Sequence, residues 1–203
     1  MSVVTQGRTS SGNVGVYAGY SPDKVDAFED WLGKDVDFVL VHAGRASWSD
    51  WLGGVKGLIE NYKGIDASVA WSLPMFITGG SFKEALTGAY DANYLAAAKL
   101  IAASAKNGEP IYIRIGEEFN GAWQPWAAKG QEKLFIATFQ RIVDIFRSVD
   151  SDFKFEWNVN MGDFGMNPAD AYPGNDYVDV IGMDFYYKSQ WDNPNTKAAW
   201  DYN

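Results

Sequence analysis

The chain has 203 residues, 47% of them hydrophobic, with a formal net charge of -9, no cysteine and one histidine. That suffices for one domain with a sizeable core, and it excludes a disulfide scaffold, a thiolate metal site and a His-rich metal centre. The acidic balance argues against nucleic acid or an anionic membrane surface as partner, and no apolar run approaches the roughly 18 residues of a membrane span.

Residues 1–12 read as a polar leader, with no apolar stretch long enough for a signal peptide. The run "NVGVYAG" (13–19) predicts a first strand, and "SPDKVDAFEDWLGK" a helix with Ser21 as N-cap, Pro22 at its first position and Gly33 at its stop. "VDFVLVHAG" (36–44) predicts a second strand and residues 49–61 a helix. "DASVAWSLP" (66–74) is a third strand, closed by Pro74. A Gly-rich loop, "TGGSFKEALTG", then leads into an alanine-rich helix, "YDANYLAAAKLIAASAKNG". "PIYIRIGEE" is the fourth strand, and "GQEKLFIATFQRIVDIFRSVD" is a strongly amphipathic helix. "FKFEWNVN" is the fifth strand, and "DYVDVIGMDFYY" (176–187) carries the sixth, after the short segment "NPADAYPG". The closing "WDNPNTKAAWDYN" looks like the start of a further helix.

Strand and helix thus alternate about six times with no break in composition, which implies a parallel sheet in a single domain spanning 1–203. An open doubly wound sheet and a (β/α)8 barrel compete. No Gly-rich dinucleotide fingerprint follows the first strand, and polar groups gather at several strand ends, as barrel active sites require. The expectation is a TIM barrel with about its first six β/α units present.

Side chains alternate faces along a strand. In "IYIRIGEEF" the face of Ile111, Ile113 and Ile115 should pack on helices, leaving Tyr112, Arg114 and Glu118 to face the barrel interior. Glu118 is then uppermost, while Glu117 falls on the helix side or twists to the rim. The same parity puts Lys154, Glu156, Asn158 and Asn160 on the inner face of the fifth strand, and Asp184 and Tyr186 on that of the sixth. His42 would stand at the mouth of the second. Four strand ends converge on one place, which defines a candidate site. Each residue has a plainer reading. His42 can be a satisfied rim histidine, Asn158 and Asn160 can cap loops, Arg114 can neutralise Glu156, and Asp163 and Asp170 read as solvated loop residues. Among the 9 Trp, Trp51, Trp71 and Trp157 are assigned to packing, Trp48 is a subsite candidate, and Trp123 and Trp126 are read as sugar contacts.

The stretch "RIGEEFNGAWQPW" resembles the fourth-strand motif of glycoside hydrolase family 26, the β-mannanase family of the retaining (β/α)8 clan. That motif runs Arg, two residues, His-Glu, then Asn-Gly, Trp and Pro-Trp. "YPGNDYVDVIGMDFY" is similar to the family's sixth-strand signature. The resemblance implies that Glu118 is the general acid/base and that Arg114 supports the catalytic carboxylates. It further implies that Trp123 forms part of the sugar-binding wall, that Asp184 hydrogen-bonds substrate and that Tyr186 orients the nucleophile. Two departures stand out. Glu117 occupies the place of the family's histidine, and the family's nucleophile, a glutamate ending the seventh strand, has no counterpart among six strands.

The leading expectation is therefore a retaining endo-hydrolase of a β-linked polysaccharide, mannan or a related glucan, xylan or exopolysaccharide, with its nucleophile beyond residue 203. No cofactor or metal is expected, and the protein is expected to be monomeric and secreted or extracellular, by inference from a polymeric substrate. A non-catalytic carbohydrate-binding barrel and a polysaccharide lyase are the rivals; the net charge disfavours the acidic substrate of a lyase.

Overall fold

The computed structural model of the protein describes residues 12–106, 108–162 and 164–186. The polar leader up to residue 11, Asp163 and the helix-like start in "WDNPNTKAAWDYN" lie outside them.

Six strands form one parallel sheet in sequential order: β1 (Gly15–Tyr17), β2 (Phe38–His42), β3 (Ser68–Leu73), β4 (Ile111–Ile115), β5 (Phe153–Asn160) and β6 (Val180–Asp184). The helices between them are α1 (Asp23–Leu32), α2 (Trp48–Asn61), α3 (Phe82–Thr87), α4 (Asp91–Ser104) and α5 (Glu132–Arg147). A short 3-10 turn over Pro168–Ala171 precedes β6. Helix boundaries follow local chemistry. Ser47 caps α2 by accepting from the Asp50 N–H, and Gly33 ends α1 in the left-handed region at φ 75. Ser21 does not cap α1, whose N-cap is Pro22 with no side-chain bond. Helix α3 lies inside the stretch read as a loop. Its signal is Ser81-x-x-Glu84, in which the Ser81 hydroxyl accepts from the Glu84 N–H.

One face of the sheet carries the core. Val39, Val41, Trp71, Leu73, Ile113, Ile115, Phe153, Phe155 and Trp157 are buried on it. Phe135, Phe139, Ile142, Val143 and Phe146 form the facing stripe of α5 and are equally buried. The other face curls on itself. Phe38 on β2 and Tyr112 on β4 meet edge-on with ring centroids 5.3 Å apart, although β3 lies between them. The small inner side chains Ser68, Ala70 and Ser72 of β3 leave room for that contact. Arg114 on β4 likewise reaches Asp184 on β6 across β5. Side chains two strands apart touch only on the concave face of a curled sheet, so the six strands form the larger part of a barrel wall. At the β6 edge Ile181 and Met183 face outward at 68% and 61% exposure, with no helix over them among the described residues.

Candidate active site

The site begins where β4 ends. Strand geometry stops at Ile115, and Gly116 follows at φ 62, with its N–H donating to the Leu73 carbonyl. A Cβ at Gly116 would lie 2.7 Å from the Met75 side chain, so both backbone and space demand glycine here. Glu118 itself sits at φ 53, the one non-glycine residue at positive φ among those described. That conformation costs a glutamate on the order of 1–3 kcal/mol and is maintained by the surroundings.

Those surroundings are the tips of β5 and β6 and the loop after β4. The Glu118 N–H donates to Asn158 Oδ1 at 3.2 Å. Its carboxylate accepts from Trp123 Nε1 at 2.7 Å through one oxygen and from Asn160 Nδ2 through the other. The Tyr186 hydroxyl stands 3.4 Å from that second oxygen. Burial and then Glu118 push the Tyr186 pKa up, so the hydroxyl keeps its proton and remains a donor. Asn120 ties the loop to β5 with two bonds, Nδ2 to the Asn160 carbonyl at 2.8 Å and Oδ1 from the Asn160 N–H at 2.9 Å.

Below this carboxylate lies a charged layer. Arg114 pairs with Glu156 at 2.9 Å and with Asp184 at 3.2 Å. Burial alone would lower its pKa, but Glu156, then Asp184 and Glu117, outweigh it and hold it raised. Its buried Nε has no acceptor among the described residues. Asn158, fully buried, donates from Nδ2 toward both Glu156 and Asp184, at 3.3 and 3.0 Å. Gly182 makes room for this layer, since a Cβ there would meet Glu156 Oε1 at 1.8 Å.

The structure therefore brings Glu118, Arg114, Trp123, Asn158, Asn160, Asp184 and Tyr186 into one connected network. His42 stands apart from it. It lies on the inner face of β2, edge-on to Tyr17 at 5.0 Å, and joins the network by no described hydrogen bond. Burial, then Arg114, lower its pKa against Asp184, so it is neutral at neutral pH.

Two expectations are corrected. Glu117, expected on the helix side or twisted to the rim, points to the inner wall, where Ser72 on β3 donates to its Oε2 at 3.2 Å; the left-handed turns at Gly116 and Glu118 break the two-residue alternation that gives the helix side. Trp126 is no sugar contact. It is fully buried, its Nε1 donates to the Glu117 carbonyl at 2.9 Å, and the Arg45 guanidinium covers its ring. Trp48 packs in an aromatic cluster with Trp51, Tyr90 and Tyr94. Trp123 alone of the tryptophans in this loop is open, at 48% exposure, edge-on to Phe164. Sequence reasoning did not single out Ser72, Arg45 or Gln124, whose side-chain oxygen accepts from Arg45. None carries a motif, and only the register of β3 against β4 brings Ser72 level with Arg114.

Among the described residues no cluster of three His, Asp or Glu side chains is arranged to hold a metal ion. A hollow of about 590 Å³ lies at the opposite end of β3 and β4, between α2 and α4. Its Ser68 and Glu109 bond each other and its Lys106 bonds a backbone carbonyl, so it lacks the convergent polar groups of the strand-tip site.

A half-closed parallel barrel with a glutamate ringed by donors at its strand tips defines a class, the (β/α)8 glycoside hydrolases. The chain belongs to glycosyl hydrolase family 26, whose sequence profile matches residues 79–200. It is 26% identical over 209 residues to endoglucanase H of Acetivibrio thermocellus, covering 94% of this chain and 22% of that protein. Among solved structures it is similar to the Bacillus subtilis mannanase man26, with a TM-score of 0.68 and 16% identity over 93% of this chain and 68% of the other. It is also similar to a β-mannanase from a symbiotic protist of the termite Reticulitermes speratus, solved with a gluco-manno-oligosaccharide, at a TM-score of 0.57 and 18% identity over 83% of this chain and 60% of the other. The chain thus spans about a fifth of endoglucanase H and about two thirds of the solved mannanase man26.

Proposed function

We propose that this chain carries the acid/base half of a retaining endo-hydrolase of β-linked polysaccharides of the mannan or glucan type. One observation supports this above the others. On a family 26 scaffold, the Glu118 carboxylate is turned into the concave face and oriented by Trp123 and Asn160, with the exposed Trp123 indole beside it as a sugar platform. In this reading Glu118 protonates the glycosidic oxygen as the bond breaks, then takes a proton from water in the second step. Asn160 and Trp123 hold the carboxylate while it changes charge. Asp184 and Asn158 present further polar groups to the sugar, and His42 adds a neutral imidazole at the rim.

A retaining mechanism needs a second carboxylate about 5–5.5 Å from the first. Glu156 and Asp184 are each engaged by both Arg114 and Asn158 in the layer below Glu118, so neither is offered as that group. We assign the nucleophile to a strand beyond residue 203, which would follow β6, the last strand among the described residues, and meet the Arg114 Nε that has no acceptor among them. A polymeric substrate implies secretion or display outside the cell, and a monomer suffices for the chemistry.

The test compares the 203-residue chain with the protein extended through two further strands, on β-mannan and β-1,4-glucan. The extended protein should release reducing ends whose first-formed anomer keeps the substrate's configuration, read by proton NMR, and the 203-residue chain should release none. Inversion, or robust hydrolysis by the shorter chain, contradicts this reading.

A further inference from the structure

Strand β5 outruns β4. The ladder between them begins with Ile111 beside Phe153 and ends with Arg114 beside Glu156, and left-handed turns at Gly116 and Glu118 then take the β4 chain away from the sheet. Trp157 to Asn160 continue as strand past that ladder. On the β6 side this tip stays paired. Asn160 stands level with Asp184, and the Met161 N–H donates to the Asp184 carbonyl. On the β4 side the strand has ended, so the N–H and C=O of Asn160, which point the same way along the sheet, need other partners.

The Asn120 side chain takes both. Its Nδ2 donates to the Asn160 carbonyl at 2.8 Å, and its Oδ1 accepts from the Asn160 N–H at 2.9 Å. A side-chain amide carries the same donor and acceptor as a peptide group, so Asn120 stands in for the next β4 residue of the ladder. Its amide has one orientation there, because the Asn160 N–H only donates and the carbonyl only accepts. Asn120 is 3% exposed and so is closed off from the cleft. The loop that carries it is anchored by other means. Phe119 is fully buried and packs on Phe135 and Trp157, the Gly121 N–H donates to the Glu118 carbonyl, and the Ala128 N–H donates to the Phe119 carbonyl. What the two Asn120 bonds fix is therefore the tip of β5. Asn160 on that tip supplies one of the two N–H donors that hold the Glu118 carboxylate, the other being Trp123.

We propose that Asn120 is a positioning residue for the proton transfer: acting through Asn160, it sets the place of the Glu118 carboxylate against the glycosidic oxygen and touches no sugar. This rests on the acid/base reading of Glu118 given above. With Asn160 adrift, Trp123 alone leaves the carboxylate free to swing about a single bond. A displacement of about 1 Å from the reacting atom costs on the order of 10²-fold in rate. Sugar binding, to which Asn120 contributes no contact, is spared.

The test is a double-mutant cycle in the protein extended through two further strands, with Asn120→Ala, Asn160→Ala and the pair, assayed on β-mannan and β-1,4-glucan well below the Tm of each variant. Asn120→Ala should lower kcat by roughly 10- to 100-fold and leave KM within about two-fold. In the Asn160→Ala background the same change should cost less than about two-fold, since the route to Glu118 is already cut. A residue that only caps a strand end would cost Tm and not kcat. Asn120→Ser lets water reach the two backbone groups without fixing where they lie, so it should recover Tm, keep the kcat loss, and serve in the cycle if Asn120→Ala fails to fold. A readout free of activity comes from the 203-residue chain. There the Asn160 side-chain amide protons, drawn downfield by the carboxylate, should move toward the position of a solvated amide in Asn120→Ser. An unchanged kcat, an equal loss in both backgrounds, or an Asn160 signal that stays in place overturns the role of Asn120 and leaves Glu118 as the acid/base. An extended wild type that hydrolyses neither polymer overturns both.

Discussion

Replacing Glu118 with Gln should lower hydrolysis by the extended enzyme by about 10²- to 10⁴-fold, the usual worth of a general acid/base. In free energy that is about 3–5 kcal/mol of transition-state stabilisation. The substitution is conservative in shape, and the surroundings can absorb it. The introduced amide would turn its oxygen to Trp123 Nε1, which can only donate, and its NH₂ toward Asn160, whose own amide can flip to accept. The Tyr186 hydroxyl can rotate to follow. Stability and oligosaccharide binding should therefore change little while the proton donor is lost. A substrate with a strongly acidic leaving group, which departs without protonation, should recover most of the first step in Glu118→Gln. Loss of binding together with activity would mean that the residue holds the sugar or the fold and does not transfer a proton.

Replacing Arg114 with Met should destabilise the fold by roughly 3 kcal/mol, near the low end of what breaking a buried ion pair costs. For a domain of this length that is a fall in Tm of about 6–12 °C. The reason is the layer it holds. Glu156 and Asp184, each 18% exposed in the pair with Arg114, would face each other across the concave wall with only Asn158 Nδ2 between them. Two carboxylates left without a cation are relieved by protonation, so the deficit should shrink as pH falls from 7 toward 4, opposite to the loss that acid causes at a salt-bridged carboxylate. The triple change Arg114→Met, Glu156→Gln and Asp184→Asn should be less damaging than Arg114→Met alone, because the Asn158 bonds survive and no charge is stranded. Urea unfolding at several pH values checks both signs.

The features legible in the amino-acid sequence are those that depend on local pattern. The Ile111, Ile113 and Ile115 run, the "FKFEWNVN" alternation and the "VDVIGMDFY" alternation fix the faces of β4, β5 and β6, so Arg114, Asn158, Asn160 and Asp184 fall on the concave side by parity alone. Parity fails one residue past the strand. Gly116 and Glu118 turn left-handed, and the adjacent Glu117 swings onto the concave wall and off the helix side that strict alternation gives. Trp126 and Trp123 are three residues apart in the same loop, yet one is fully buried and the other open, because the first is clamped between the Glu117 carbonyl and Arg45. No periodicity encodes that. Helix α3 was hidden by glycines on both sides, although Ser81 and Glu84 already carried the spacing of a capped helix start. The contacts that assemble the site join residues 45 and 70 positions apart: Ser72 meets Glu117 through the register of β3 against β4, and Arg114 meets Asp184 across β5 through the curvature of the sheet.

The most direct measurement is a nitrogen-15 titration of the 203-residue chain with mannohexaose and cellohexaose, following side-chain N–H signals. If the concave strand-tip cleft at Glu118 is where the sugar sits, the Trp123 indole and the Asn160 side-chain amide shift together, and Trp31, 78% exposed on the outer helix α1, does not move. Shifts confined to Trp31 or other outer-surface groups, with Trp123 and Asn160 unchanged at saturation, would contradict the account.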